Sequence, residues 1–234
     1  MRRTFLLLSA LAVCSLAWAQ KASEGGVPAS DEARPSADSS SPVVTFSLDF
    51  PNSQPERYSI QVPSDGSAHY QSTGRISRES EDKDDFDFDF SVSAETRDRI
   101  FRLTKDAGYF RHDLDSHGKG LAFMGKKTLS YRNGSESTGS TFNYASNGAA
   151  HELSDLFQNL STTLEFGHRL DFDHHYQKLA LDDELKHMQE MAKGRELAEI
   201  AAIQPILEQI VADHSVMNVA RARAQQLLED IKEK

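Results

Sequence analysis

The sequence predicts an α+β fold: an antiparallel meander sheet with a packed helix, followed by a C-terminal helical region. Three observations carry that reading. Between residues 43 and 92 apolar and polar residues alternate, the period of half-buried strands. From Ala149 onward apolar residues recur every three or four positions, the period of amphipathic helices. Most strands also precede most helices, which argues against interleaved βαβ units and a parallel sheet.

Residues 1–19 have the three parts of a secretory signal. Arg2 and Arg3 give a positive start, Thr4 to Leu16 is almost entirely apolar, and Ala17-Trp18-Ala19 places small residues where a signal peptidase reads. Cleavage after Ala19 is expected. The apolar run is shorter than the roughly 20 residues a membrane span needs, so no stable membrane insertion is expected after cleavage. One rival is lipid attachment at Cys14: Leu11-Ala12-Val13-Cys14 resembles a lipobox, although Val13 stands where Gly, Ala or Ser is usual. An uncleaved anchor is the other. Residues 20–42 are rich in Ser, Ala, Gly, Pro and charge, with no aromatic residue. They cannot bury enough apolar surface to offset the entropy of ordering, and read as a disordered linker.

A sheet domain is expected over 43–165. Val44, Phe46, Leu48 and Phe50 share one face of a first strand, and Tyr58 to Val62 alternates again. Pro63-Ser64-Asp65-Gly66 is turn chemistry, after which Ala68 to Gln71 pairs back. The clearest strand is Phe86 to Val92, with a Phe row inward and an Asp row outward; the acidic run Glu79 to Asp85 before it reads as a solvated loop. Ser93 is a suitable N-cap for a helix to Ala107 with Ile100, Leu103 and Ala107 on one side, and Gly108 suits its end. Tyr109-Phe110 would then plug the sheet edge. Phe123 to Arg132 and Ser140 to Tyr144 read as a hairpin turned at Asn133-Gly134, with a loop that could extend to Gly139.

A helical extension is expected over 166–234. Leu153, Leu156, Phe157, Leu160 and Leu164 begin the helical stripe, and Leu170 to Lys193 continues it through Leu179, Leu185, Met188 and Ala192. Gly194 marks a break. Leu197, Ile200, Ile203, Leu207, Ile210 and Val211 form the next stripe, kinked or restarted at Pro205. After Asp213-His214-Ser215, a last helix carries Val219, Leu227, Leu228 and Ile231, and the last two helices could pair as a hairpin.

The chain has 26 Lys and Arg against 36 Asp and Glu. Loss of Arg2 and Arg3 with the signal would leave 24 against 36, a net charge of −12. That balance disfavours nucleic acid and anionic lipid surfaces as partners. Cys14 is the single cysteine. A mature chain starting at Gln20 would use neither disulfides nor thiolate chemistry, and its stability would come from packing.

Two His/Asp clusters are the candidate metal sites. In Arg111 to Gly118, Asp113, Asp115 and Gly118 resemble the opening of a calcium loop, but His117 and Met124 occupy positions that need oxygen ligands. His112, Asp115 and His117 could instead hold a transition metal, against the plainer reading of a solvated turn. Asp171, His174 and His175 lie three and four apart on a helix, with His168 before them and His187 beyond. They could bind zinc or nickel, against the plainer reading of a polar face or helix cap. No Glu stands at a metalloprotease spacing, and the sequence contains no Gly-x-Ser-x-Gly elbow, Ser-x-x-Lys motif, phosphate-binding Gly-rich loop or dinucleotide fingerprint. Asn133 and Asn159 head glycosylation sequons that matter only in a eukaryotic secretory route.

The punctuation Tyr58–Val62, Asp65-Gly66 with Tyr70, Phe86–Val92, Arg99-Ile100-Phe101 and Gly108-Tyr109-Phe110 resembles small uncharacterised domains of exported bacterial proteins, over about residues 43–165. The resemblance implies location and fold class only, since those domains have no assigned activity. The expected function is therefore an exported, non-enzymatic binding or scaffold protein of the cell envelope, periplasmic or extracellular, with no cofactor and with the C-terminal helices available to a protein partner. The alternatives are a metal-binding protein or metal-dependent hydrolase using the His/Asp clusters, and a peptide-binding or inhibitor-like domain using an open sheet edge such as the Phe86–Phe90 strand.

Overall fold

Alternation in the first half of the chain resolves into six antiparallel strands: β1 (Val43–Asp49), β2 (Arg57–Pro63), β3 (Ser67–Arg75), β4 (Lys83–Ser91), β5 (Lys126–Asn133) and β6 (Glu136–Phe142). They were obtained from a computed structural model that describes residues 41–75 and 83–232. The signal peptide, the linker before residue 41 and Cys14 lie outside the described residues. The sheet order is β4-β3-β2-β1-β5-β6, so β4 and β6 form its edges. Register sets the two faces: Val44, Phe46, Ile60, Val62, Tyr70 and Leu129 are buried on one face. Ser47, Ser59, Gln71, Thr73 and Thr128 line a shallow depression on the other.

Helices cover the apolar face. α1 (Ala94–Asp106) starts at Ser93, whose side chain accepts from the Thr96 N–H. It ends at Gly108, where φ is +68°, a value that suits glycine. Phe110 then enters the core, and Tyr109 packs on Tyr131 with ring centroids 5.0 Å apart. This short turn lies against β5 and β6, as the expected edge plug. The chain thereby crosses from β4 at one edge to β5 beside β1.

α2 (Gly148–Tyr176) is a single helix of 29 residues, capped by the Asn147 side chain on the Ala149 and Ala150 N–H groups. Its buried face carries Leu153, Phe157, Leu160, Leu164, Phe166 and Leu170. Phe157 stacks on Phe46 of the sheet at 5.3 Å and 3°. α3 (Leu181–Lys193), α4 (Gln204–Ala212) and α5 (Asn218–Lys232) complete the helical layer, with α5 packed on both α3 and α4. Pro205 sits in the first turn of α4, where its missing N–H leaves no hydrogen bond unmade.

Several expectations change. The position between 165 and 166 falls inside α2, and one continuous core runs from β1 to α5. The helix expected from Leu170 to Lys193 is interrupted at 177–180, and Leu179 is 79% exposed because it sits in that break. Val219 is exposed at the start of α5. The β5–β6 turn is tight, pairing Asn133 with Glu136, so residues 136–139 are strand. Lys83 to Asp85 belong to β4; residues 79–82 of the expected acidic loop lie outside the described residues.

Among the described residues no helix is long and apolar enough to cross a membrane.

Candidate functional site

The Phe row of β4 is less buried than its alternation predicts. Phe86, Phe88 and Phe90 are half-buried, in contrast to the fully buried Tyr70 beside them on β3. The reason is position: β4 is an edge strand, and the helical layer does not close over it. The rings form a ladder, with Phe86–Phe88 at 5.7 Å and Phe88–Phe90 at 6.2 Å, both stacked. Beside the ladder runs a groove of about 270 Å³, walled by Leu164 and Gly167 of α2 and by Ile203 and Ile206 at the start of α4. His168 forms the lip. Its ring stacks on Phe86 at 4.2 Å, and its Nε2 lies 2.7 Å from Asp84 Oδ2. Gly167 fixes the groove's depth. A Cβ there would lie 2.5 Å from Ile203 Cγ2, so only glycine admits this approach of the two segments.

Beneath the ladder lies a buried polar cluster. Glu165 of α2 reaches the sheet, and its Oε1 accepts from Tyr70 Oη at 2.6 Å and from Ser72 Oγ at 2.7 Å. Ser161 Oγ lies 2.9 Å from Tyr70 Oη. Burial pushes the Tyr58 and Tyr70 hydroxyls up from their usual range, and the Glu165 carboxylate adds to this at both. Both therefore stay protonated, and Tyr70 serves Glu165 as a hydrogen-bond donor. The cluster ties α2 to β3, and the Tyr70 ring packs edge-on to Phe86 of the ladder at 5.8 Å. The sequence reading missed it, though a signal was present: Ser161 and Glu165 are four apart on the apolar face of α2, where a lone carboxylate must have partners.

The sequence candidates for metal binding lie in separate short-range pairings. Asp115 Oδ1 accepts from the His117 N–H at 2.7 Å and its Oδ2 from the Asn143 N–H at 2.8 Å, while Asp113 Oδ2 lies 2.7 Å from His117 Nε2. The Asp115 N–H, which donates to Asp113 Oδ1 at 2.9 Å, and then His117 lower the Asp113 carboxyl; the Asn143 and His117 N–H groups lower Asp115, and Asp113 raises His117. They shape the loop that pairs with residues 143–146, and His112 points into solvent. In the second cluster, Asp171 reaches the groove wall, and His175 Nδ1 lies 2.8 Å from the Asp171 carbonyl oxygen. His174 turns instead to Asp213, 3.0 Å away, and His187 packs edge-on to Phe166. Among the described residues, no group of three or more His, Cys, Asp or Glu side chains is placed to hold a metal ion.

Asp213 fastens the break after α2. Lys178 Nζ donates to it at 2.6 Å and to Ser215 Oγ at 2.6 Å, and Ser215 Oγ donates to Asp213 Oδ1 at 2.7 Å. The Lys178 ammonium, followed by the Ser215 donors, holds the Asp213 carboxyl well below the usual carboxylate range. The trio is a clamp that joins the break after α2 to the loop between α4 and α5.

Asp173 behaves oppositely. Burial, reinforced by Glu184 and opposed by Arg169, pushes its carboxyl up to about 6. Between pH 4 and 6, roughly, the folded chain holds a proton that the unfolded chain has released. Its contribution is therefore favourable below about pH 4 and lost as pH rises through the raised value. Asp173→Asn is expected to match the wild-type urea midpoint at pH 4. At pH 8 it should exceed wild type by about 1–2 kcal/mol, a figure discounted for the side chain's partial exposure.

No protein-family model matches this chain, and no curated protein matches it either.

Proposed function

We propose that this is an exported, non-enzymatic binding protein of the cell envelope, and that it binds polypeptide in extended form along β4. The observation that supports the reading is the half-buried Phe86-Phe88-Phe90 ladder on an edge strand beside an apolar groove. An edge strand carries unpaired N–H and C=O groups that can template a further strand, a liability proteins usually mask. Here the edge strand runs for nine residues and its aromatic row is left partly wet. A bound strand would satisfy the free main-chain groups, and its alternate side chains would dry the Phe ladder and enter the groove. The groove walls stand on α2 and α4, so the site is largely preformed. Export rests on the sequence of residues 1–19.

A fluorescein-labelled eight-residue peptide of alternating Val and Gln, titrated with the protein and followed by anisotropy, tests the reading. Saturable binding with a Kd of about 10–500 μM is expected. Phe88→Ser, whose fold is checked by circular dichroism, should weaken it at least about tenfold by removing the apolar seat. No saturable binding up to about 1 mM, or equal binding to Phe88→Ser, overturns it.

A further inference from the structure

We infer that the strand accepted at β4 is one in which apolar and basic side chains alternate, an inference that rests on β4 binding extended polypeptide. Phe86, Phe88 and Phe90 of β4 face the helical layer, so Asp85, Asp87 and Asp89 face the open side of the sheet. A strand added to that edge shares the pleat. Every second side chain would stand beside a Phe over the groove, and those between would stand beside an Asp.

The carboxylate row is short of cations. His69 on β3 lies 2.6 Å from Asp89 and 3.5 Å from Asp87, and Gln71 Nε2 donates to Asp87 at 2.9 Å. Among the described residues, no Lys or Arg pairs with Asp85, Asp87 or Asp89. The Asp87 and Asp89 side chains are 53% and 71% exposed. A strand edge thus presents apolar surface on one side and, on the other, carboxylates without a Lys or Arg partner among the described residues, repeated at the two-residue period. The groove lip repeats the sign: Asp84 is engaged by His168, and Asp171 lines the wall.

This pattern selects among occupants. A second copy pairing edge to edge would set its own β4 Asp row against this one, and like charges directly opposite are destabilising. An acidic strand meets the same penalty, and a neutral one gains only the groove. A strand with Lys or Arg between its apolar residues gains both faces. Three cross-strand charge pairs at an exposed edge amount to about tenfold in affinity at low salt, and less as salt screens them.

The test uses four eight-residue peptides in anisotropy titrations: Val alternating with Lys, with Gln or with Glu, and a block-ordered Lys/Val peptide of the same composition as the first. The alternating Lys peptide should bind about tenfold more tightly than the Gln peptide, and the Glu peptide more weakly than either. Asp87→Asn combined with Asp89→Asn should bring the affinities of the Lys and Gln peptides within about twofold of each other. Equal binding of Lys and Gln peptides overturns the charge pattern and leaves edge binding standing. Equal binding of the block-ordered peptide reduces the effect to attraction by the protein's net charge and also overturns it. Binding of no peptide removes both readings. Dimerisation that rises with protein concentration and disappears in Phe88→Ser assigns the groove to a second copy and overturns the inference.

Discussion

Glu165→Ala is expected to lower the unfolding free energy by about 2–4 kcal/mol, read as a drop in the urea midpoint at an unchanged slope. The change removes the acceptor that two hydroxyl donors share. Ser72 Oγ loses its hydrogen-bond acceptor, and Tyr70 Oη keeps only Ser161. Tyr70 is fully buried, so water does not replace the lost partner there. Tyr70→Phe alone should cost about 1 kcal/mol, because it removes a hydroxyl and leaves Glu165 bonded to Ser72. The double variant should cost less than the two single changes together, since with Phe at 70 there is no stranded phenol. Additive costs would mean that the cluster does not act as a unit. Glu165→Gln, which keeps an acceptor oxygen, should cost no more than about 1 kcal/mol.

Gly167→Ala should destabilise by about 1–2 kcal/mol, even though alanine is the better helix former by about 1 kcal/mol. The clash decides the sign. The new Cβ would lie 2.5 Å from Ile203 Cγ2 and 3.1 Å from Ile203 Cβ, so the two segments must separate. Ile203→Ala removes the Cγ2 methyl but keeps the Cβ, and should by itself cost about 2–4 kcal/mol, since Ile203 is buried. On that background the same Gly167→Ala change should cost at least about 1 kcal/mol less, because the 2.5 Å clash with Cγ2 is gone and only the 3.1 Å approach to the residue 203 Cβ remains. A smaller cost on the Ile203→Ala background, read from urea midpoints, identifies the Gly167–Ile203 contact as what sets the groove's depth. Destabilisation of both backgrounds by the same amount would refute it.

The sheet was legible because its burial is one-sided. Val44, Phe46, Ile60 and Val62 alternate with polar neighbours, and all four are buried as their period requires. The limits of the periodicity appear where a pattern carries no information about what lies above it. The Phe row of β4 alternates as cleanly as any strand, yet its depth depends on how far α2 and α4 extend over the edge. Leu179 and Val219 fit helical stripes but fall where the chain leaves or enters a helix. Of the site, the sequence singled out the Phe strand, His168 and Asp171. It gave no sign that His168 would stack on Phe86, because nothing local relates residues 86 and 168. The His and Asp clusters drew attention through spacing alone, and most of those groups are engaged by near neighbours such as Asp113 or by distant ones such as Asp213.

α2 leaves the described residues from β1 to α5 without an internal seam. The same helix supplies Phe157 to the ring of Phe46, Glu165 to Tyr70, and Gly167 to Ile203. Its first half is therefore part of the sheet's cover and its second half part of the floor on which α3 and α4 rest. Any breakpoint between residues 148 and 176 would divide a helix whose two ends serve different layers. Recombination could not exchange the C-terminal helices as a cassette, and divergence of this protein would proceed by substitution at the groove and the strand edge rather than by replacement of a module.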